Sequence, residues 1–369
     1  NKPMINLELA KKHQETFDQV MLLAEHMMRP YSRKYDKEEH TYPKEMEEAA
    51  KLIGGGRSSM SGGAKKDLPE GTVVNGGNMG AVVGLFGLCW GDVGLFLAMP
   101  GSGLGNAAIS AVGTPEQVKK YGDSYAAMCI TEPGTGSDSA NISTTAVADG
   151  DEWVLNGSKT FITNGIHADM VIVCAKTDPN AGSKGISLFM VDTTLSGFSR
   201  GKKIEKMGQH CSDTAELFFQ DIRLPADALL GEEGKGFVYL MTELPRERIG
   251  CATHAVGLAD CALKMAADYV VERKAFGQSV SQFQNTRFKL ASCKTEIELS
   301  RALLEKYIGL FKQDEMTTEH ASIIKLASTE MSLKVIDECL QLHGGYGYTD
   351  EYPISRLYRD ARVQTIYAG

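Results

Sequence analysis

The sequence contains no long hydrophobic run and no excess of positive charge. No apolar stretch approaches the roughly 18 to 20 residues of a membrane-spanning helix, and the opening "NKPMINLELAKKHQ" lacks the apolar core of a signal peptide. The net charge of -8 over 369 residues argues against binding to a phosphate backbone, which lysine and arginine normally neutralise. We therefore expect a protein with neither a membrane nor a nucleic-acid partner.

Short motifs of several enzyme classes are also missing. The eight cysteines form no C-x-x-C pair and the eight histidines show no metal-ligand spacing, so we expect neither disulfides nor a metal site. "GSGLGN" at 101–106 departs from the dinucleotide pattern, and no phosphate loop or G-x-S-x-G nucleophile elbow occurs. Metalloenzyme and hydrolase functions are therefore disfavoured. Single cysteines are typical of reduced thiols in the cytoplasm or, in a eukaryote, the mitochondrial matrix.

Three patterns of hydrophobicity divide the chain. Residues 1–125 have mostly helical spacing, interrupted by glycine-rich stretches that we interpret as loops or tight packing contacts. Residues 126–232 have short alternating segments, with Asp149-Gly150 and Asn156-Gly157 as hairpin signals. Residues 233–369 return to long helical stripes. The sequence therefore predicts an α+β fold with an N-terminal helical domain, a middle antiparallel β-domain and a C-terminal helical bundle.

The stretch "TELPRERIG" at 242–250 places two glutamates four residues apart at the predicted start of a helix, where Pro245 suits the first turn. A solvated helix start is the simpler interpretation. However, two apolar stripes follow, within residues 249–270 and 251–265, and a helix that is apolar on two faces is packed on two sides. Because the second stripe extends backwards to Glu247, we expect Glu247 to point into a cleft.

Four further stretches occur in an order that points to one family. They are "CITEPGTGSD" at 129–138, "GSKTFITNG" at 157–165, "ERKAFGQSVSQFQ" at 272–284 and "QLHGGYGYTDEYPISRLYRDARVQTIYAG" at 341–369. Together they closely resemble the acyl-CoA dehydrogenase family, weakly before Asn106 and densely after it. The resemblance implies a flavoprotein of fatty-acid β-oxidation with FAD as cofactor and an acyl-CoA substrate. It also implies an electron-transfer flavoprotein as electron acceptor and a homotetramer, with a hetero-oligomer as the alternative.

The resemblance also implies how FAD is bound. A flavin needs hydrogen bonds at its ring edge, amides near its pyrophosphate and an apolar wall against the ring. Thr131 and Thr163 match the ring-edge positions and Phe161 matches the wall, whereas a neighbouring subunit would hold the adenine end. Taken singly, each motif has a simpler interpretation: the turns are ordinary turns, and Arg273 is a solvated cation. The matched cofactor positions are Met128, Ile130, Thr131, Gly136, Ser137, Phe161, Thr163, Arg273, Phe276, Gln284, Gln341, Gly344 and Gly345. His343 matches no catalytic position and is interpreted as structural.

The family reaction removes a proton beside a thioester carbonyl and a hydride from the next carbon, giving a trans-2-enoyl-CoA. Many members carry the carboxylate base in "YEG" near the C-terminus, where this sequence has Ala368. In the long-chain and isovaleryl branches the base immediately precedes an arginine, a position that matches Glu247 followed by Arg248. The resemblance therefore implies Glu247 as the base, with Glu243 as the alternative. The implied substrate contacts are Ser137, Arg248, Tyr367 and Ala368.

Several alternatives remain open. An aspartate that binds pantetheine in some relatives is Pro245 here, and the family continues after the position of Gly369 into a helix that contacts FAD. The protein could instead pass electrons to oxygen, as acyl-CoA oxidases do. It could also be a flavin-binding subunit without activity of its own. The acyl chain length is undetermined, and we expect the pocket depth to depend on residues 95–105.

Overall fold

The computed structural model describes residues 11–39, 41–53, 77–100, 103–122, 124–312 and 315–369. Its helices are α1 (Lys11–Leu23), α2 (Arg29–Lys37), α3 (Glu45–Leu52), α4 (Gly77–Gly91), α5 (Val93–Leu97), α6 (Leu104–Val112), α7 (Pro115–Tyr121), α8 (Gly236–Glu272), α9 (Gln284–Lys312), α10 (Thr318–Leu342) and α11 (Pro353–Ala361). Its strands are β1 (Ala126–Cys129), β2 (Thr145–Asp149), β3 (Glu152–Thr163), β4 (Met170–Lys176), β5 (Ile186–Asp192), β6 (Phe198–Lys203), β7 (Thr214–Pro225), β8 (Leu229–Leu230), β9 (Lys274–Ala275) and β10 (Gln278–Ser279). The helices before and after the strands confirm the predicted α+β fold class.

The helices before the sheet pack closely through glycine. A Cβ atom at Gly87 of α4 would lie 2.7 Å from Val20 Cγ1 of α1, and one at Gly91 would lie 2.9 Å from Met28 Sδ. Since no side chain separates the helices at these points, their backbones approach closely. The described part of the glycine-rich stretch at 74–88 is thus a packing surface. The other such stretch, at 54–66, lies outside the described residues.

The main sheet has the strand order β6-β7-β3-β2-β4-β5-β8, with β1 beside β4. Most neighbours are antiparallel, as predicted, but β1 and β2 both pair with β4 in parallel. Strand β4 is buried on both faces: Val171 and Val173 enter one core, whereas Ile172 and Cys174 enter the core that also contains Ile109 of α6. This alternation follows from the two-residue period of a strand. The predicted domain boundaries, 125/126 and 232/233, stay predictions.

One of the two hairpin predictions is correct. Asp149-Gly150 joins β2 to β3, with Gly150 at a φ of 64°. The prediction of a hairpin at Asn156-Gly157 is wrong, because these residues lie inside β3, at a break in its register with β7. Gly157, at a φ of 150°, allows close approach of Thr144, which any side chain there would overlap. The glycine therefore serves a bulge rather than a turn.

Helix α8 is packed on two sides, as its stripes predict. Its residues from Ile249 to Ala262, Asp260 apart, are buried, and it contacts α4, α9 and α10. The prediction that Pro245 lies in the first turn is wrong, because the helix begins at Gly236 and continues through the proline. The preceding turns are held by the sheet: a Cβ at Gly236 would lie 2.9 Å from Ile186 O, and Tyr239 packs on the adjacent core. These contacts thus offset the loss of the backbone hydrogen bond that Pro245 cannot donate.

All eight cysteines are buried and free. In the described ranges, no helix combines the length and the apolar character that a bilayer crossing requires.

Candidate active site

An apolar cleft, open to solvent, lies where α4, α6 and α9 meet α8 beside the sheet, with an empty volume of about 970 Å³. One wall consists of small side chains of α6, Ala107, Ala108 and Ala111, and the end of α9 contributes Ile308 and Phe311. Among the described residues, its charged lining comes from one helix, α8. These charged residues are Glu243, Arg246 and Glu247. Each therefore occupies a largely apolar environment, in which charge is costly.

Glu247 is partly buried in this cleft, as the stripe argument predicts. Its carboxylate has no hydrogen-bond or ion-pair partner among the described residues. Burial raises the pKa of Glu247 to about 7; the charge of Glu243 adds to this effect and Arg248 opposes it. A partnerless carboxylate with a pKa near neutrality can accept a proton from a weakly acidic group.

The adjacent cation, Arg248, is directed toward the end of the chain. Its Nε donates to Ala368 O at 3.0 Å and its Nη1 donates to Ser322 Oγ at 2.8 Å. Ala368 has a φ of 59°, an uncommon conformation for a residue with a side chain. The bond from Arg248 therefore joins the segments that carry the two candidate base positions, Glu247 and Ala368.

Two segments are predicted to contact the flavin ring, residues 128–138 and 157–165, and we call them the ring segments. They are bonded directly to each other: Thr160 N donates to Thr131 O at 2.9 Å. The ammonium of Lys159, which is fully buried, donates to Ile130 O at 3.0 Å and to Glu132 Oε1 at 2.8 Å. The relative position of the ring segments is thus fixed by backbone and side-chain bonds.

Glu132 is the centre of this connection. Its carboxylate accepts hydrogen bonds from the backbone N–H and hydroxyl groups of Ser143 and Thr144, at 2.6 to 3.0 Å. Burial would raise the pKa of Glu132, but the hydrogen bonds from Lys159, Ser143 and Thr144 outweigh burial and lower it to about 2. The carboxylate therefore stays ionised across the physiological range.

The exposed face of the ring segments fits a flavin. The Phe161 side chain is 64% exposed, and its φ of 57° is rare for a bulky residue. The Thr131 and Thr163 hydroxyls have no hydrogen-bond partner among the described residues. A Cβ at Gly136 would meet no atom within 4 Å, and Ser137 beside it is exposed. An apolar ring surface, free polar groups and an open turn match a planar ring with a polar edge and a phosphate tail.

The predicted cofactor residues of the C-terminal part form a second, separate group. Phe276 is 95% exposed at a φ of 52°, and Arg273 lies with its Cζ 5.7 Å from the Tyr346 ring. The other members of this group are also exposed: Gln284, Gln341, Gly344 and Gly345. Within the described ranges, no hydrogen bond, ion pair or ring contact joins this group to the ring segments of the same chain. The predicted cofactor residues of one chain thus lie in two separate exposed groups, which we call the two half-sites.

The remaining predicted positions have varied surroundings. The buried Tyr367 hydroxyl has no hydrogen-bond partner in the part of the chain that the structure describes, and burial holds its pKa well above the usual range. His343 is buried, with Nδ1 2.8 Å from Cys339 O and its ring stacked on Tyr269, which supports a structural role. The described residues contain no group of three metal-binding side chains.

The expectation that residues 95–105 set the pocket depth stays a prediction. Leu95 and Met99 are fully buried in the helical core, whereas Leu104 is the one described residue of this range that lines the cleft. The sequence reasoning missed the α6 wall and also Arg246. The signal for the wall was present, because Ala107, Ala108 and Ala111 recur at the three- and four-residue spacing of one helix face.

Comparisons with known proteins identify the family. The model described as "Acyl-CoA dehydrogenase, middle domain" matches residues 127–222, and the model described as "Acyl-CoA dehydrogenase, C-terminal domain" matches residues 234–369. The chain belongs to the acyl-CoA dehydrogenase family. Members of this family are FAD-dependent oxidoreductases.

Individual relatives agree with this assignment. The chain is 47% identical over 269 residues to the long-chain specific acyl-CoA dehydrogenase, mitochondrial, of Mus musculus, an alignment covering 71% of this chain and 63% of that protein. It is 39% identical to subunit CarC of the caffeyl-CoA reductase-Etf complex of Acetobacterium woodii, over 74% of each. The crystal structure of the Geobacillus kaustophilus acyl-CoA dehydrogenase superposes with a TM-score of 0.87 at 39% identity, covering 99% of this chain and 96% of that one. The chain therefore spans less than two thirds of the mouse enzyme's length.

Proposed function

We propose that this protein catalyses the flavin-dependent α,β-dehydrogenation of an acyl-CoA thioester to the trans-2-enoyl-CoA, with Glu247 as the base. One observation carries the proposal: Glu247 lines the same apolar cleft as Met128, which belongs to the first ring segment. The proposed base and the start of the first ring segment therefore border one cleft.

The chain's own residues account for the proton transfer. The acyl chain lies along the apolar wall of α6, with the carbon beside the thioester carbonyl at Glu247. The C–H bond at that carbon breaks, its electron pair enters the new double bond, and the proton moves to a Glu247 carboxylate oxygen. Partial burial among apolar side chains raises the pKa of the carboxylate, which strengthens it as a base. Bound FAD supplies the acceptor for the hydride that leaves the next carbon.

FAD binding follows from the two half-sites. Thr131 and Thr163 would bond the ring edge, Phe161 would provide an apolar surface for the ring, and Gly136 and Ser137 would leave room for phosphate. Arg273, Phe276 and Gln284 of a neighbouring subunit would hold the adenine end. The 95% exposure of Phe276 supports this arrangement, because a nearly bare aromatic side chain is typical of a contact surface. The assembly we propose is a homotetramer.

The choice of Glu247 is tested by Glu247→Gln in the FAD-loaded protein. The amide keeps the shape but cannot take the proton, so turnover should fall by about 10² to 10⁴-fold while FAD and acyl-CoA binding persist. Stopped-flow bleaching of the flavin band by acyl-CoA measures this step. Wild-type bleaching rates in Glu247→Gln would remove Glu247 as the base and leave Glu243 as the candidate.

We also propose that an electron-transfer flavoprotein takes the electrons. Support comes from the Acetobacterium woodii relative, which is named as a subunit of a complex with Etf. Reduction of a purified electron-transfer flavoprotein by acyl-CoA and this enzyme tests the pairing. Rapid oxygen consumption with acyl-CoA alone would favour an oxidase instead. Absence of bleaching by any acyl-CoA would indicate a flavin-binding subunit without its own activity.

A further inference from the structure

The charged side chains of the cleft are unequally paired. Arg246 Nη1 lies 3.9 Å from Glu243 Oε2, three residues away on the same helix, which is a loose ion pair. Glu247 has no such partner among the described residues, although it lies one residue from Arg246 and four from Glu243. All three side chains face the same apolar space. All three are partly buried, so their charges interact with weaker screening than in bulk water.

We propose that Glu243 and Arg246 form an electrostatic control on Glu247, in which Glu243 favours the protonated form of the base and Arg246 weakens that influence. The proposal rests on the proposed role of Glu247 as the base. Neither residue touches the reacting carbon in this scheme. Both act through Glu247 and are positioning residues for its proton.

The helix geometry supports this division of roles. Residues four apart on a helix have Cβ atoms about 5 to 6 Å apart, so two carboxylates at Glu243 and Glu247 repel each other on one face. The repulsion adds to burial in raising the pKa of Glu247. Arg246 is itself desolvated, since burial lowers its pKa and Glu243 partly restores it. An uncharged residue 246 would leave Glu243 unopposed.

The other titratable groups around Glu247 are two basic side chains bonded to neutral oxygens and two neutral acids; of these, the charge of Arg248 lowers the pKa of Glu247. Arg248 donates to Ala368 O and Ser322 Oγ. Lys325 of α10 donates to Gly369 O at 3.0 Å. Burial raises the pKa of the Cys251 thiol, one turn further along α8, to about 12, and it also holds the pKa of Tyr367 well above its usual range. From α6 and α9, only apolar side chains line this part of the cleft in the described residues.

The test is the pH dependence of kcat/KM for acyl-CoA with FAD-loaded variants. Glu243→Gln should move the acid limb to lower pH by about 0.5 to 1 unit, because the base loses a like charge. Arg246→Gln should move it to higher pH by a similar amount. Asp268→Asn is the matched control, since it removes one negative charge from the exposed Lys264–Asp268 pair of the same helix, and should leave the limb in place.

A second measurement needs no turnover. Infrared titration follows the protonated-carboxyl band that is absent from Glu247→Gln, and its midpoint should shift in the same opposite directions in the two variants. The control by Glu243 and Arg246 would be overturned if neither variant shifted the acid limb and the infrared midpoint, or if both variants shifted them in the same direction. If Glu247→Gln is still inactive in that case, the proposed function stays intact. If Glu247→Gln is fully active, the proposed function fails instead.

Discussion

At the residue scale, His210 is held between two backbone carbonyl groups. Its Nδ1 lies 3.0 Å from Asp36 O and its Nε2 lies 2.7 Å from Lys206 O. Both carbonyls accept, so both nitrogens donate only when the imidazole is protonated. The Asp36 carboxylate, 3.2 Å from Nδ1, raises the pKa of His210 to about 9, against opposing burial and with help from Glu39.

This predicts a stability change at alkaline pH. The folded pKa of about 9 lies above the unfolded value of 6.5, so the contribution is complete below pH 6.5 and is lost as the pH rises through 9. The loss is at most about 3 kcal/mol, since one pKa unit corresponds to about 1.4 kcal/mol. Two other charged side chains lie near His210 and Asp36. Arg359 Nη2 lies 2.6 Å from Asp36 Oδ2, and Lys206 Nζ donates to Ser212 O.

Urea unfolding midpoints between pH 6 and 10 measure the effect. His210→Gln cannot become charged, so its midpoint should fall less steeply with pH than that of the wild type. Parallel curves for the two proteins would mean that His210 does not contribute the slope.

At the scale of elements, the Glu132–Lys159 pair connects the ring segments. The pair is buried, with Lys159 on β3 and Glu132 in the turn after β1. A buried ion pair is weak evidence for net stability, but removal of one partner leaves an uncompensated charge. Removal of Lys159 or Glu132 should therefore also disturb the exposed face of the ring segments.

Lys159→Met should lower the free energy of unfolding by about 3 to 5 kcal/mol, because Glu132 then remains ionised without its cation. FAD should also dissociate more readily, since the ring segments lose a connection. Chemical unfolding and the retained flavin absorbance report the two effects. The double variant Glu132→Gln/Lys159→Met should recover part of the stability. Normal stability of Lys159→Met alone would contradict this account.

The same scale shows where local patterns succeed. The stripes of α8 predict its two-sided packing, because apolar spacing alone decides which faces need a partner. They fail at its start, since the turns before Pro245 are held by contacts with β5 that no local pattern contains. Likewise Asn156-Gly157 has the composition of a turn, but its glycine is required by Thr144, which is thirteen residues away in sequence and adjacent in space.

At the scale of the whole molecule, the two half-sites predict that cofactor binding and assembly are linked. If Arg273 binds FAD across a subunit boundary, the cofactor stabilises only the assembled state. Arg273→Ala should therefore weaken both FAD retention and the oligomer. Lys274→Ala, on the neighbouring exposed residue, is the control.

Analytical ultracentrifugation with simultaneous detection of flavin absorbance measures both quantities. Flavin should be lost from Arg273→Ala as its sedimentation shifts to smaller species, whereas Lys274→Ala keeps the wild-type profile. An Arg273→Ala protein that keeps its full FAD content and the wild-type sedimentation would argue against a shared site.

The sequence by itself determined the α+β class and the two buried faces of α8, since periodicity is a local property of the chain; Glu247 as the candidate base came from the resemblance to the family. Only the tertiary structure decided what surrounds Glu247. The apolar wall of α6, the direction of Arg248 and the presence of Arg246 in the cleft depend on contacts between residues far apart in sequence. A pKa is set by such neighbours and by burial, so the chemical character of Glu247 emerges only when these elements pack together.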